Sequence, residues 1–234
     1  MSDFGVVLAA AGAGRRFGTK KQLLEVLGRP ILHYSLDAFS GVEDVGRIVL
    51  VLPPDDLVLG EEVVRSWRAA GAGASRKSVL PVAVVGGGAR RQDSVRRGLD
   101  ALPPSIRYVL VHDAARPLIE PEAIRRMAAA TREHGAAVIG VPSFDSVKRV
   151  LGGAIVGELP RDEVWTVQTP QSGEVSTLKR AYDAAGGTEM TDEATALRAL
   201  GIKVALVEGS RDNVKITRPE DLHLAEAILR ARGV

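Results

Sequence analysis

A length of 234 residues with 45% hydrophobic and 26% charged residues suits one large, water-soluble α/β domain. A net charge of +2, four Phe and two Trp argue against a nucleic-acid partner, which needs a concentrated basic surface and stacking aromatics. The absence of cysteine excludes disulfides, thiolate nucleophiles and Cys-based metal sites, and no apolar run approaches the roughly 20 residues that span a bilayer, so the expected location is cytoplasmic with no membrane partner.

In chain order, the apolar run Phe4–Ala10 predicts a buried first strand. Leu8-Ala-Ala-Ala-Gly-Ala-Gly-Arg-Arg-Phe-Gly18 leads out of it, with Lys20 and Lys21 close behind. Backbone built of Ala and Gly approaches a ligand closely, because few side chains intervene. The free N–H groups of such a turn suit an anion, and the four basic side chains add positive charge over the same spot. A polyphosphate fits that combination. The plain alternative is a glycine-rich strand-to-helix turn with solvated cations. Gly12, Gly14 and Gly18 read G-x-G-x-x-x-G, one residue off the dinucleotide fingerprint, and the acid that would hold a ribose is missing.

Helical spacing follows over Pro30–Phe39, a β-branched strand over Arg47–Leu52, a helix over Asp56–Ala70 and a strand over Val79–Val85. A helix over Asp93–Leu102, with Asp93 or Ser94 as its N-cap, precedes the strand Ile106–Val111. Pro121–His134 reads as a helix between start and stop signals, Pro121 and Gly135, and Ala136–Val141 as a strand. Continuous apolar strands between amphipathic helices predict a doubly wound, mostly parallel sheet covered on both faces. Ligands of such sheets sit at the carboxyl ends of strands, here Ala10, Val85 and Val111, which predicts one shared site.

Ser146–Leu151 and Ala154–Leu159 flank Gly152-Gly153, a two-residue hairpin signal. An isolated hairpin is marginal in water, so it is expected to lie on a second copy of the chain or back on its own domain. Glu174–Ala185 and Thr191–Leu200 then read as helices, the second opening on a Thr-Asp-Glu cap, followed by the strand Ile202–Val207 and the helix Pro219–Ala231. The whole of 1–234 is taken as one domain with an arm at about 142–168.

Three more stretches carry chemistry. Gly86-Gly-Gly-Ala-Arg-Arg-Gln-Asp-Ser94 is a glycine loop able to wall a flat base. In His112-Asp-Ala-Ala-Arg-Pro117, Asp113 at a strand tip suits Mg²⁺ held against phosphate oxygens, and Arg116 offers a fork for a second phosphate. His112 reads as a packed strand-end residue rather than a general base. Late in the chain stand Lys148, Arg161 and Asn213-Val-Lys-Ile-Thr-Arg-Pro219, where Lys215 inside an apolar alternation is expected to point into a cleft. With no legible nucleophile, this inventory suits a reaction that needs only positioning and positive charge, such as nucleotidyl transfer.

Ala-Ala-Gly-x-Gly-Arg-Arg, Lys-Gln, Gly-Gly-x-x-Arg-x-Asp-Ser, His-Asp-Ala-Ala-Arg-Pro, Thr-Pro-Gln, Thr-Asp-Glu-Ala and Asn-x-Lys-Ile-Thr-Arg-Pro-Glu-Asp occur in that order. Over nearly its whole length the chain resembles the 2-C-methyl-D-erythritol 4-phosphate cytidylyltransferases of the non-mevalonate isoprenoid pathway. The resemblance implies a Rossmann-like nucleotidyltransferase fold and the reaction of CTP with the alditol phosphate, with Mg²⁺, to give the CDP-alditol and pyrophosphate. It implies that Arg16 and Lys21, with Arg161 and Lys215, are catalytic. Ala10, Ala11, Gly12, Gly14 and Arg15 would hold the triphosphate; Gly88, Ala89 and Ser94 would frame cytosine; Asp113 would position the metal. Asp113, Arg116, Ser146, Arg161, Thr169 and Lys215 would hold the acceptor. A β-arm in the family crosses a homodimer, so Ser146 and Arg161 would serve the neighbour's site. Ala89 stands where an acidic residue is frequent and Ser146 where Thr is common. Rival expectations are a ribitol or ribulose phosphate cytidylyltransferase, a nicotinamide-dependent oxidoreductase suggested by the glycines alone, and a catalytically silent nucleotide sensor.

Overall fold

The computed structural model describes residues 2–12, 24–71 and 80–233. The expectations on Gly14, Arg15, Arg16 and Lys21, and on Val79, lie outside those residues.

The elements run β1 (Phe4–Ala9), β2 (Glu25–Val26), β3 (Arg29–Pro30), α1 (Ile31–Ser40), β4 (Val45–Leu52), α2 (Leu57–Ala70), β5 (Val82–Gly86), α3 (Arg91–Asp100), β6 (Tyr108–Asp113), α4 (Pro121–His134) and β7 (Ala136–Pro142). There follow β8 (Lys148–Leu151), β9 (Ala154–Glu158), β10 (Trp165–Glu174), α5 (Val175–Ala185), α6 (Glu193–Ala199), β11 (Ala205–Glu208) and α7 (Glu220–Ala231). Seven strands form one sheet in the order β11-β7-β10-β6-β1-β4-β5. All neighbours pair in parallel except β10, which runs antiparallel between β6 and β7.

The chain leaves β1 for β4 on one side and later returns to β6 on the other, so the strand order reverses beside β1. That is where open α/β sheets bind ligands. Both faces of the sheet are covered. Phe4, Val6 and Leu8 of β1 pack with Leu36 and Phe39 of α1, Trp67 of α2 and Met127 of α4. Val7, on the opposite face, packs with Val95 and Leu99 of α3 and with Leu178 and Leu197 of α5 and α6. Burying each large aliphatic or aromatic side chain is worth about 1.5–3 kcal/mol, which is why the central strands are near-continuous apolar runs. α4 begins at Pro121 and closes at Gly135, whose N–H meets Thr131 O at 2.8 Å, as the sequence signals require. Among the described residues no helix is long and apolar enough to cross a membrane.

Two expectations need correction. Trp165–Glu174, read as the end of the arm, an unassigned stretch and the first residue of a helix, is a ten-residue strand in the middle of the sheet. Gln168, Thr169, Gln171 and Ser172 are buried within it because each finds a partner: Ser172 Oγ donates to Ala137 O at 3.1 Å, and Gln168 Nε2 to Ser210 O at 2.9 Å. The helix expected to start at Asp93 or Ser94 starts at Arg91, with Arg90 as N-cap. Asp93 serves from its third position, accepting from Arg90 N at 3.1 Å, the reciprocal half of a capping box.

β8 and β9 form a separate two-stranded hairpin, in which Lys148 faces Glu158 and Leu151 faces Ala154. Gly152 and Gly153 turn the chain at φ +56° and +82°, the left-handed backbone that a two-residue hairpin loop demands.

Candidate active site

The loops after β1, β5 and β6 converge on a cavity of about 380 Å³ at the carboxyl ends of their strands. Its walls are Ala9–Gly12, the start of α1 at Ile31 and Leu32, Gly88–Arg91 with Ser94, Asp113–Ala115, and Lys215. The β1 exit is pinned by Ala10 N to Val51 O at 2.8 Å and by Ala114 N to Ala9 O at 3.1 Å, and Ala10, Ala11 and Gly12 line the space beyond it. Gly87 N donates to Leu52 O at 2.7 Å and Gly88 N to Ser94 Oγ at 3.0 Å. A Cβ on Gly88 would stand 2.4 Å from the Asp93 Cβ, so only glycine lets the loop lie this close to α3. The Ser94 hydroxyl is therefore a clip: it accepts from Gly88 N and sits 3.1 Å from Arg90 O, fixing the loop that carries Ala89.

Asp113 ends β6 on the face shared with α3 and α6. Arg91 Nε donates to its Oδ1 at 3.2 Å and Lys215 Nζ to its Oδ2 at 2.6 Å. Burial by itself would raise the Asp113 carboxyl, but the Arg91 and Lys215 cations overcome this and hold it well below the usual carboxylate range. The Asp113 side chain is 13% exposed and that of Lys215 43%, so the ammonium is the part of the pair open to a ligand. Lys215 thus points into the cleft, as its apolar neighbours suggest.

Arg91 carries a second contact that the sequence did not disclose. Its Nη1 and Nη2 grip both oxygens of Glu193, at 2.7 and 3.2 Å, and Tyr182 Oη donates to Glu193 Oε1 at 2.8 Å. Glu193 is fully buried. Burial opposes the charge on Arg91, yet Glu193 and Asp113 drive its guanidinium further above its ordinary value. Burial and then Glu193 push the Tyr182 phenol upward, so it stays a donor.

Behind Asp113 lies a buried polar knot. Thr169 Oγ1 accepts from Asp113 N at 3.1 Å and sits 3.1 Å from His112 Nδ1, while His112 Nε2 sits 2.9 Å from Arg116 O. Burial brings the His112 imidazole down to about 4, which keeps it neutral, with Nε2–H donating to Arg116 and Nδ1 accepting from Thr169. His112 is thus a structural hydrogen-bonding residue, in line with its sequence reading. Arg116 does not pair with Asp113; Nη1 donates to Asn213 O at 2.7 Å, and Nε is buried with no hydrogen-bond partner among the described residues. Desolvation lowers the Arg116 guanidinium, so an anion arriving there would be welcome.

The predicted residues thus fall into three groups. Ala10, Ala11, Gly12, Gly88, Ala89, Ser94, Asp113 and Lys215 line one cavity. Thr169 and Arg116 stand behind Asp113 without lining it. Ser146 and Arg161 are exposed, before and after the hairpin, and are not among the described residues that line the cavity of their own chain. Asp212, one residue before Asn213, pairs with Arg232 at 3.3 Å. Among the described residues no three metal-ligating side chains cluster.

The family model described as 2-C-methyl-D-erythritol 4-phosphate cytidylyltransferase matches residues 4–231. A bifunctional enzyme IspD/IspF of Desulfotalea psychrophila is 39% identical over 99% of this chain, which spans 58% of that protein. A second bifunctional relative, from Solidesulfovibrio magneticus, is likewise spanned over 56% of its length. The 2-C-methyl-D-erythritol 4-phosphate cytidylyltransferase of Desulforamulus reducens is 39% identical over all of this chain and 98% of its own. Among solved structures, the enzyme of that name from Thermus thermophilus superposes with a TM-score of 0.76 at 35% identity, covering 98% of this chain and all of the other. The 4-diphosphocytidyl-2C-methyl-D-erythritol synthase of Anaerococcus prevotii reaches a TM-score of 0.83 at 28% identity, over 97% and 96% of the two chains.

Proposed function

This chain belongs to the 2-C-methyl-D-erythritol 4-phosphate cytidylyltransferase family, and on that premise we propose that it transfers CMP from CTP to 2-C-methyl-D-erythritol 4-phosphate, releasing pyrophosphate, in isoprenoid-precursor synthesis. One observation supports the reading above the others. Two glycine-bearing loops and the Asp113–Lys215 pair face a single cavity at the point where the strand order reverses.

The chemistry asks little of the protein beyond placement and charge. The acceptor phosphate is already ionised at neutral pH and attacks the α-phosphorus of CTP in line, so no general base is needed. Backbone of Gly88 and Ala89, on the loop clipped by Ser94, frames cytosine. Ala10, Ala11, Gly12, Gly14 and Arg15 cradle the triphosphate. Arg16 and Lys21 stabilise charge growing on the α-phosphate and the departing pyrophosphate, where preorganised cations act most strongly. Lys215, anchored by Asp113, presents its ammonium to the acceptor, joined by Arg116, whose buried Nε lacks a partner among the described residues. Thr169 keeps Asp113 and His112 in register from behind.

Asp113 is the single carboxylate among the described residues lining the cavity, and Mg²⁺ is commonly held by one carboxylate together with substrate phosphates. The donor set therefore fits a divalent cation that arrives with the nucleotide and shares Asp113 with Lys215. Such a cation would neutralise charge across the phosphates.

The hairpin completes the reading. Leu151 and Ile155 are 75% and 66% exposed, apolar surface of the kind a partner covers. A homodimer in which each arm brings Ser146 and Arg161 to the other chain's cavity accounts for both.

Pyrophosphate release with Mg²⁺, measured across four nucleoside triphosphates and three acceptors, tests the proposal. CTP with methylerythritol phosphate should be fastest. Faster release with ribitol 5-phosphate or ribulose 5-phosphate would overturn the acceptor, and no release with any pair would overturn the reaction.

A further inference from the structure

Tyr182 of α5, Glu193 of α6, Arg91 of α3, Asp113 of β6 and Lys215 beyond β11 form an unbroken line that runs from behind the cavity to its wall. Its four ionised members alternate in sign. Arg91, Asp113 and Lys215 line the cavity, whereas Glu193 and Tyr182 are buried behind it.

Arg91 uses two edges. The Nη1–Nη2 edge is closed on Glu193. The Nε–Nη2 edge meets Asp113, with Nε at 3.2 Å and Nη2 at 3.1 Å, and both reach the same oxygen, Oδ1. Left to itself, a guanidinium prefers a two-pronged grip on both oxygens of a carboxylate. Such a grip on Asp113 would take Oδ2 away from Lys215.

A fully buried carboxylate needs a reason, because apolar packing usually serves stability as well as a buried ion pair does. Tethering α6 does not require it. Gln92 already ties the preceding loop, accepting from Met190 N at 2.7 Å and donating to Thr188 O at 3.1 Å. Gln171 accepts from Ala194 N at 2.8 Å. Neutral amides thus hold the segment, and the charge on Glu193 is addressed to Arg91.

We propose that Glu193, oriented by Tyr182, is a positioning residue for the transfer reaction: by closing the Nη1–Nη2 edge of Arg91 it fixes the guanidinium so that the Nε–Nη2 edge meets Asp113 at Oδ1 and leaves Oδ2 to Lys215 and the ligands. This rests on the activity proposed above and assigns a task to the Thr-Asp-Glu-Ala motif, which otherwise reads as a helix cap.

A double-mutant cycle tests it, with pyrophosphate release from CTP and methylerythritol phosphate as readout. Glu193→Gln should lower kcat by on the order of tenfold or more, with a smaller change in KM for CTP. In an Asp113→Asn background the same change should cost less than about threefold, because the group it positions has lost its charge. Equal losses in both backgrounds, or none in the first, would overturn the proposal. Should Glu193→Gln fail to fold, Tyr182→Phe, which removes one hydrogen bond and keeps the ring, goes through the same cycle with a smaller loss and the same dependence on Asp113. Wild-type turnover is the separate control. Its absence defeats the proposed activity, whereas equal losses in an active enzyme defeat only the positioning role.

Discussion

Around Asp113, Arg91, Glu193 and Lys215 meet their partners at 2.6–3.2 Å within one chain, while on the β8–β9 hairpin Val150, Leu151, Ile155 and Val156 each leave more than half their surface bare. In the first region Arg91, Asp113 and Glu193 each have two or more partners, and Lys215 is held through Asp113. The second makes few tertiary contacts, and its apolar side chains have value only against something outside the fold. The difference teaches that internal partners fix the charged groups beside the cavity, whereas the hairpin carries apolar surface that its own fold leaves uncovered.

The largest expected effect tests the proposed transfer chemistry. Lys21→Ala should lower kcat by about 10²–10³ with a smaller change in CTP affinity, the scale for losing one preorganised donor at a developing charge. Steady-state kinetics check it, and an unchanged kcat contradicts the role. The same variant sharpens the comparison when mixed with Arg161→Ala. If arms cross, each mixed dimer rebuilds one intact site, and random pairing should restore about a quarter of wild-type activity. No recovery on mixing would mean that Arg161 serves its own chain or none.

The knot behind Asp113 gives a pH signature. His112 titrates at about 4 in the folded protein against 6.5 when free, so the unfolded chain binds its proton first as pH falls. Its contribution is intact above pH 6.5 and declines towards pH 4 by about 3 kcal/mol, at 1.36 kcal/mol per pKa unit. Denaturant unfolding of wild type and His112→Asn between those pH values should show the flatter profile in the variant; parallel profiles would contradict the assignment. The smallest effect belongs to the arm. Leu151→Ser should leave the unfolding free energy of the monomer within about 0.5 kcal/mol, as exposed substitutions do, yet shift sedimentation from dimer towards monomer.

Much of this was legible in the chain. Phe4–Ala10 and Arg47–Leu52 declare buried strands because both sheet faces are covered. Gly152-Gly153 declares a hairpin because few other residue pairs accept two left-handed conformations in succession. That the loops after three strands would line one cavity was recognisable because parallel strands deliver their carboxyl ends to the same edge. β10 was illegible for an equally physical reason. Gln168, Thr169, Gln171 and Ser172 look like a surface loop, and only partners such as Asn213, His112 and Asp192, all distant in sequence, make them core. Glu193 escaped similarly. Beside the capping residue Asp192 it looks like ordinary first-turn charge, while its partner Arg91 lies 102 positions earlier.

A crystal structure of the protein with CTP and Mg²⁺ tests the central claim most directly. The account requires the base against Gly88–Ser94, the phosphates over Ala10–Gly12, and the divalent ion beside Asp113. Nucleotide bound elsewhere on an active enzyme, with the strand-end cavity empty, would contradict it.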